Sequence, residues 1–214
     1  MNLTEISEKY SAPIIALVGA MVPLPKYESD ETKILGYELR KAIGKKGTLF
    51  TGGVNGVGVD FYKGIVDYCK ENSVDDRFFV LLPEAFIDPA SEYMNLAKQL
   101  NCHLKIERVG NDMEERRTYV AQLADKLVVV NGSKGTLDEC VKGLFYGKEI
   151  ICLENSGGAA DVLAILKRGE ISNESFNLNL DLIKLFGSAV DAVKYLSTTC
   201  LNDFTDMRGN DGEN

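Results

Sequence analysis

Short apolar runs alternate with longer amphipathic stretches along the whole chain. The apolar runs predict strands at residues 14–18, 48–50, 78–82, 103–106, 127–130, 150–153 and 182–186. The stretches between and after them have the length and 3.6-residue spacing of helices, at residues 31–46, 57–72, 89–101, 112–124, 136–146 and 188–196. Several runs are apolar almost throughout, which indicates strands buried on both faces. The sequence therefore predicts a three-layer α/β domain with a mainly parallel sheet.

The length of 214 residues favours a single domain. We assign it to residues 1–201. Residues 202–214 are acidic, contain two glycines and have little apolar content, so we expect a disordered tail. Residues 171–179 are rich in Ser and Asn and predict a surface loop.

Acidic residues outnumber basic ones, with 32 Asp and Glu against 24 Lys and Arg and a formal net charge of −8. Because binding of a nucleic acid polymer relies on neutralising phosphates, this balance predicts that no such polymer is a partner. Apolar runs fall far short of the roughly 20 residues that span a bilayer. The first residues do not resemble a signal peptide. We therefore expect a cytoplasmic protein with no membrane partner.

The cysteines and the single histidine do not form a recognisable site. They are scattered, without a Cys-x-x-Cys pair, at Cys69, Cys102, His103, Cys140, Cys152 and Cys200. This spacing predicts no metal site. Since a Cys-His nucleophile is not indicated either, we interpret the thiols as reduced and mostly buried, and His103 as a structural residue of a strand. Any catalysis then falls to carboxylates and arginines.

Glycines follow three of the predicted strands, where parallel sheets bind their ligands. They are Gly19 after the first strand, Gly52 and Gly53 after the second, and Gly132 and Gly135 after the run at 127–130. The last turn also carries Ser133, Lys134 and Thr136 at the start of a helix. Its backbone N–H groups can receive a phosphate. The alternative is an ordinary turn capped by Thr136, and for residues 52–58 it is close packing of a helix on the sheet.

Charged residues flank this turn in the sequence. Arg116 lies near the start of the helix that leads into the strand before the turn, and Glu139 lies three residues after Thr136. The charge cluster around Arg116 also fits a solvated helix face. If both side chains reach the turn, an arginine and a carboxylate beside a phosphate site suit the cleavage of an N-glycosidic bond.

Two motifs at this separation resemble those of the cytokinin-activating phosphoribohydrolases, within the SLOG superfamily of Rossmann-like proteins. The family has Asp-Met-His-x-Arg-Lys followed by Pro-Gly-Gly-x-Gly-Thr-x-x-Glu. This chain has Asp-Met-Glu-Glu-Arg-Arg at 112–117 and Asn-Gly-Ser-Lys-Gly-Thr-Leu-Asp-Glu at 131–139. Weaker resemblance extends over residues 14–153. The resemblance implies a Rossmann-like fold, a homodimer, and hydrolysis of a nucleoside 5′-monophosphate to base and ribose 5-phosphate without a cofactor.

The resemblance also implies roles for individual residues. Arg116 and Glu139 occupy the catalytic positions. The phosphate- or nucleotide-binding positions are Gly19, Gly52, Gly53, Arg117, Gly132, Ser133, Lys134, Gly135 and Thr136. The chain departs from the pattern where Glu114 replaces histidine, Arg117 lysine, Asn131 proline and Ser133 glycine.

A second resemblance favours ligand binding without turnover. Residues 50–58 and 155–161 are similar to the ligand-sensing branch of the same superfamily, which includes the nucleotide-sensing domain of melastatin-type channels. This similarity implies a sensor or carrier of an ADP-ribose-like nucleotide. The ordinary interpretation of residues 157–161 is the start of a helix.

Overall fold

The computed structural model describes residues 3–44, 46–85, 88–171 and 178–203. Within these residues the chain forms seven strands and eight α-helices. In chain order they are α1 (Leu3–Lys9), β1 (Ile14–Gly19), α2 (Ser29–Ile43), β2 (Thr48–Thr51), α3 (Val57–Asn72), β3 (Phe78–Leu82), α4 (Ser91–Gln99), β4 (Lys105–Arg108), α5 (Met113–Leu123), β5 (Lys126–Val130), α6 (Lys134–Phe145), β6 (Glu149–Leu153), α7 (Gly158–Lys167), β7 (Ile183–Phe186) and α8 (Ala189–Asp203).

All strands belong to one parallel sheet in the order β4-β3-β2-β1-β5-β6-β7. The predicted α/β, single Rossmann-like three-layer domain with a mainly parallel sheet is confirmed. The strand order reverses direction between β1 and β5, where Gly19 pairs in register with Val130. In open parallel sheets this reversal leaves a crevice at the carboxyl ends of the strands.

Each face of the sheet is covered by its own helices. The sheet separates two hydrophobic cores, and alternate residues of β1 belong to different ones, Leu17 to the first and Val18 to the second. The first core receives apolar side chains from α2, α3, α4 and α8, and the second from α1, α5, α6 and α7. This division follows from the continuously apolar strands, which bury side chains on both faces.

Helices α2 and α3 approach each other at two glycines. A Cβ atom on Gly36 would clash with the carbonyl oxygen of Phe61, and one on Gly64 would clash with that of Lys33. The two backbones are therefore in contact without intervening side chains. This close packing fixes the position of α3, whose first residue Val57 donates its N–H to Ala20 O after β1 at 3.0 Å.

The structure differs from the sequence-based assignment in a few elements. Helix α1 was not predicted, the start of α7 was given only as the ordinary interpretation of residues 157–161, and His103 is exposed and precedes β4 instead of lying in it. Helix α8 continues to Asp203, so the first two residues of the predicted disordered tail are helical. Residues 204–214 of that tail and residues 172–177 of the predicted loop lie outside the described part of the chain.

A buried carboxyl group at the amino end of β3 makes stability depend on pH. Asp76 is 4% exposed, accepts a hydrogen bond from Tyr62 Oη at 2.7 Å and lies 4.0 Å from Lys105 Nζ. Burial raises the pKa of Asp76, while the Tyr62 hydrogen bond and Lys105 act in the opposite direction. As pH rises above about 4, the unfolded chain releases this proton before the folded protein does. Stability is therefore lost as pH rises toward the folded pKa.

Asp76→Asn removes this titration, since Asn imitates the protonated group at every pH. We expect the melting temperature of Asp76→Asn, relative to wild type, to increase as pH rises from about 4 toward neutrality. Melting curves across this range test the expectation. Asp75→Asn, which changes the exposed neighbouring carboxylate, serves as the control. A difference between Asp76→Asn and wild type that stays constant with pH would contradict the assignment.

Candidate functional site

The carboxyl ends of β1, β2 and β5 meet a buried ion pair between two helices. Arg116 Nη2 of α5 lies 2.7 Å from Glu139 Oε1 of α6, and the two residues are 5% and 4% exposed. Both line a cleft together with Gly19, Thr51 and other residues of the strand ends. The predicted catalytic arginine and carboxylate are thus brought together by the fold.

The start of α5 places Arg116 on the inner face of its helix. Asp112 Oδ1 caps this helix by accepting the backbone N–H groups of Glu114 and Glu115 at 2.9 and 3.0 Å. One turn further, Arg116 points toward the sheet, while the exposed Glu114 occupies the position of the family histidine. The charge cluster is therefore a solvated surface in part only, because Arg116 is buried.

The ion pair leaves part of its hydrogen-bonding capacity unused. Arg116 Nε is buried and has no hydrogen-bond partner among the described residues, a rare state for a buried donor. The structure shows no hydrogen bond to Glu139 Oε2 within the same residues. Burial raises the pKa of Glu139, while Arg116 and Arg117 act in the opposite direction. A buried pair with unsatisfied capacity of this kind is a candidate ligand contact.

The glycines around the cleft have different tasks. A Cβ atom on Gly52 would lie 2.6 Å from Arg116 Nη1, so Gly52 leaves room for the guanidinium. Gly53 has φ +67° and packs on Val80, while Gly19 packs on Val57 although it also lines the cleft. The predicted role of Gly19 and Gly53 in ligand binding stays a prediction, whereas their packing role is visible.

The turn between β5 and α6 exposes backbone donors. No acceptor for the N–H groups of residues 132–136 is present within the described chain. Ser133 and Lys134 are exposed, while Gly132 and Thr136 are buried against each other. A phosphate can therefore approach the first N–H groups of α6, where the helix dipole also favours an anion.

Arg117 adds a second cation beside this turn. A Cβ atom on Gly135 would lie 3.1 Å from Arg117 Nη2, so the guanidinium lies over the first turn of α6. Arg117 Nη1 is 3.7 Å from Asp138, which also binds Lys142 at 2.7 Å. Arg117 is partly exposed and thus accessible to an anion bound at the turn.

Sequence reasoning missed the structural task of Asn131. Its φ of +55° is one that proline, fixed near −65°, does not adopt, so the turn differs in conformation from one that begins with proline. The Asn131 side chain donates to Ser156 O at 2.6 Å and accepts the N–H of Leu24 at 3.0 Å. By contrast, Ser133 has φ −110°, so its side chain introduces no backbone strain.

The segment at residues 157–161 packs against the same turn. Gly157 N donates to Asp161 Oδ1 at 3.1 Å at the start of α7, and a Cβ atom on Gly158 would clash with Gly132 O. These contacts agree with the ordinary interpretation of a helix start. They account for the two glycines by close packing.

A hydroxyl pair in the cleft also escaped sequence reasoning. Tyr93 of α4 is fully buried, and its hydroxyl lies 3.0 Å from Thr51 Oγ1 at the end of β2. Both residues line the cleft with Arg116 and Glu139. No local sequence motif points to Tyr93, because Thr51 and Tyr93 are 42 residues apart in the chain.

The cavity within the cleft is narrow, at about 40 Å³. A second cavity of about 250 Å³ lies between the starts of α2 and α8 and is lined by Glu28, Glu31 and Glu154. Lys26 also lines it, so this cavity carries three carboxylates and one ammonium group. Among the described residues no cluster of three His, Cys, Asp or Glu side chains could hold a metal ion. No helix in this part of the chain has the length and apolarity of a membrane span.

Comparison with known proteins identifies the fold through structure only. No protein-family model matches the chain, and no curated protein matches its sequence. Solved structures do resemble it. TM1055, a structural genomics target, has a TM-score of 0.61 and 21% identity, and the likeness covers 86% of this chain and 98% of TM1055.

Two further structures extend the likeness. DNA processing protein A from Helicobacter pylori, described for its binding of single-stranded DNA, has a TM-score of 0.61 and 17% identity over 94% of this chain and 84% of its own. The molybdenum cofactor carrier protein from Chlamydomonas reinhardtii has a TM-score of 0.54 and 18% identity over 87% of this chain and 96% of its own.

The likeness to DNA processing protein A corrects one expectation from the sequence. The net charge of −8 was taken to exclude a nucleic acid polymer as a partner. This inference is wrong, because a protein of this fold binds single-stranded DNA. Phosphate binding depends on local charge, so the net charge of a whole chain does not decide it. At these identities the comparisons show the fold alone, which is Rossmann-like.

Proposed function

We propose that this protein binds a nucleoside 5′-monophosphate and hydrolyses its N-glycosidic bond, releasing the base and ribose 5-phosphate. The observation that carries the proposal is the buried Arg116–Glu139 pair, whose carboxylate lies on the same helix, α6, as the unpaired N–H groups at the start of that helix. The 5′-phosphate binds these N–H groups, with Arg117 as a second cation. This arrangement brings the sugar close to Glu139, one turn into the same helix.

The chemistry assigns each group a task. Water attacks C1′ of the ribose, the bond from C1′ to the base nitrogen breaks, and its electron pair leaves with the base. Glu139 accepts the proton of the water, which the departing base finally receives. Its carboxylate also stabilises positive charge on the ring as that bond breaks. Arg116 holds Glu139 in place through Nη2 and leaves Nε to a ligand oxygen.

A second candidate function is binding without turnover, as a sensor or carrier of an ADP-ribose-like nucleotide. The narrow cavity favours it, since about 40 Å³ leaves little room for a substrate beside Glu139. The likeness to a molybdenum cofactor carrier agrees with such a role. The two functions share the phosphate site and differ in whether Glu139 reaches C1′.

One experiment separates the candidates. The purified protein is incubated with ribonucleoside 5′-monophosphates, ADP-ribose and a single-stranded oligonucleotide. Binding is measured by calorimetry and base release by chromatography. We expect release of base from a monophosphate, lowered at least about 100-fold in Glu139→Gln with binding retained. Glu170→Gln, which changes an exposed carboxylate three residues after the end of α7, should match wild type.

Other outcomes have definite meanings. Binding of ADP-ribose without release of base from any monophosphate supports the carrier or sensor. Binding of the oligonucleotide alone refutes both candidates. Base release that survives in Glu139→Gln contradicts the assigned role of this carboxylate.

A further inference from the structure

The cleft contains two chemically different halves. Arg116 and Glu139 form the charged half, and the hydroxyl groups of Thr51 and Tyr93 form a neutral half. In the neutral half, Tyr93 is fully buried. Gly58 leaves space for the Tyr93 hydroxyl, because a Cβ atom on Gly58 would clash with it. Tyr93 belongs to none of the motifs found in the sequence, and Thr51 lies within residues 50–58, which resemble the ligand-sensing branch.

The neutral half contains one O–H donor for which no acceptor is present among the described residues. Thr51 Oγ1 accepts the N–H of Gly53 at 3.2 Å, and one of the two hydroxyls donates to the other at 3.0 Å. Two hydroxyls carry two protons, so one O–H is left without an acceptor within the described residues. Burial raises the pKa of Tyr93, which keeps this proton on the pair at neutral pH. A buried donor of this kind calls for a partner.

The size of the cavity limits what that partner can be. About 40 Å³ holds roughly three water molecules. A nucleobase does not fit there, whereas a single hydroxyl group does. The spare O–H requires a small group that accepts a hydrogen bond, and a sugar hydroxyl meets both conditions.

We propose that the Thr51–Tyr93 pair binds a ring hydroxyl of the ribose, O2′ or O3′, and makes the protein selective against analogues that lack this hydroxyl. This inference rests on the proposed binding of a phosphorylated ribose. It adds the part of the ligand that is recognised, and it holds whether or not the ligand is hydrolysed. A site that pairs a buried donor with a hydroxyl disfavours an analogue that lacks this hydroxyl, because the donor is left unpaired.

The test measures binding of ribose 5-phosphate, the four ribonucleoside 5′-monophosphates, and the 2′-deoxy and 3′-deoxy analogues of the tightest-binding monophosphate. We expect at least one deoxy analogue to bind about tenfold or more weakly than its parent to wild type. In the double variant Thr51→Val with Tyr93→Phe, which removes both hydroxyls, this ratio should fall toward one. Each single variant keeps one O–H without an acceptor, so its ratio should lie between that of wild type and that of the double variant. If the double variant does not fold, an unchanged ratio in both single variants would overturn the inference.

Matched controls come from the same elements. Tyr62→Phe removes a buried hydroxyl that donates to Asp76, while the ring that stacks near Tyr93 is kept. Thr48→Val changes the opposite end of β2, where the hydroxyl bonds to Ser11 O. Both should keep the wild-type ratio. Equal binding of parent and deoxy analogues overturns the inference alone, while absence of binding by every phosphorylated ribose overturns the proposed function with it.

Discussion

Replacing one partner of the Arg116–Glu139 pair is expected to destabilise the protein more than replacing both. Arg116→Met or Glu139→Leu alone leaves a buried charge without its partner, and each should lower the free energy of unfolding by about 3–5 kcal/mol. The double variant fills the same space with apolar groups and leaves no buried charge. We expect its stability to be close to that of wild type or above it by up to about 4 kcal/mol.

Urea unfolding of the four proteins measures this cycle. The double variant should also lose binding of phosphorylated ribose compounds, which shows that the pair serves the ligand at the expense of stability. Lys33→Met with Asp30→Leu, an exposed pair three residues apart, provides a control with little coupling. Additive losses for Arg116 and Glu139 would mean that the two charges do not depend on each other.

Adding a single methyl group between α2 and α3 should strongly destabilise the fold. In Gly36→Ala or Gly64→Ala the new Cβ meets a backbone carbonyl of the facing helix, which cannot rotate away as a side chain can. The gain in helix propensity from Gly to Ala is about 1 kcal/mol. Overpacking against backbone outweighs it, and we expect a net loss of about 3 kcal/mol.

For a chain of this size such a loss lowers the melting temperature by roughly 6–12 °C. Thermal unfolding followed by circular dichroism measures it. Gly187→Ala is the matched control, since no atom lies within 4 Å of its new Cβ and its φ is not positive. A melting temperature of Gly36→Ala equal to that of Gly187→Ala would show that the helices can move apart freely.

Much of the fold follows from local pattern. Runs such as residues 127–130 and 150–153 are apolar throughout, so both strand identity and burial on two faces could be predicted. Helix α1 was missed because only Ile6 within it is buried, so its apolar pattern is weak. The start of α7 could be interpreted either as a ligand-sensing segment or as an ordinary helix start, and only the packing of Gly158 on Gly132 explains this glycine.

Some residues of the candidate site could likewise be predicted from the sequence, and others could not. Arg116 and Glu139 could be predicted because they lie on consecutive helices joined by one strand, so their spacing in the sequence reports their proximity. Thr51 and Tyr93 come from separate parts of the chain, and only the parallel order of β1, β2 and β3 brings α4 above the cleft. The task of Asn131 depends on its positive φ, which sequence alone does not show.

The amide of Asn131 ties the end of β5 to the segments that follow β1 and β6. Any displacement of the turn at residues 131–133 must therefore also move Leu24 and Ser156, or break the hydrogen bonds that Asn131 makes with them. The turn that begins α6 is thus cross-linked along the rim of the sheet to two loops from distant parts of the sequence.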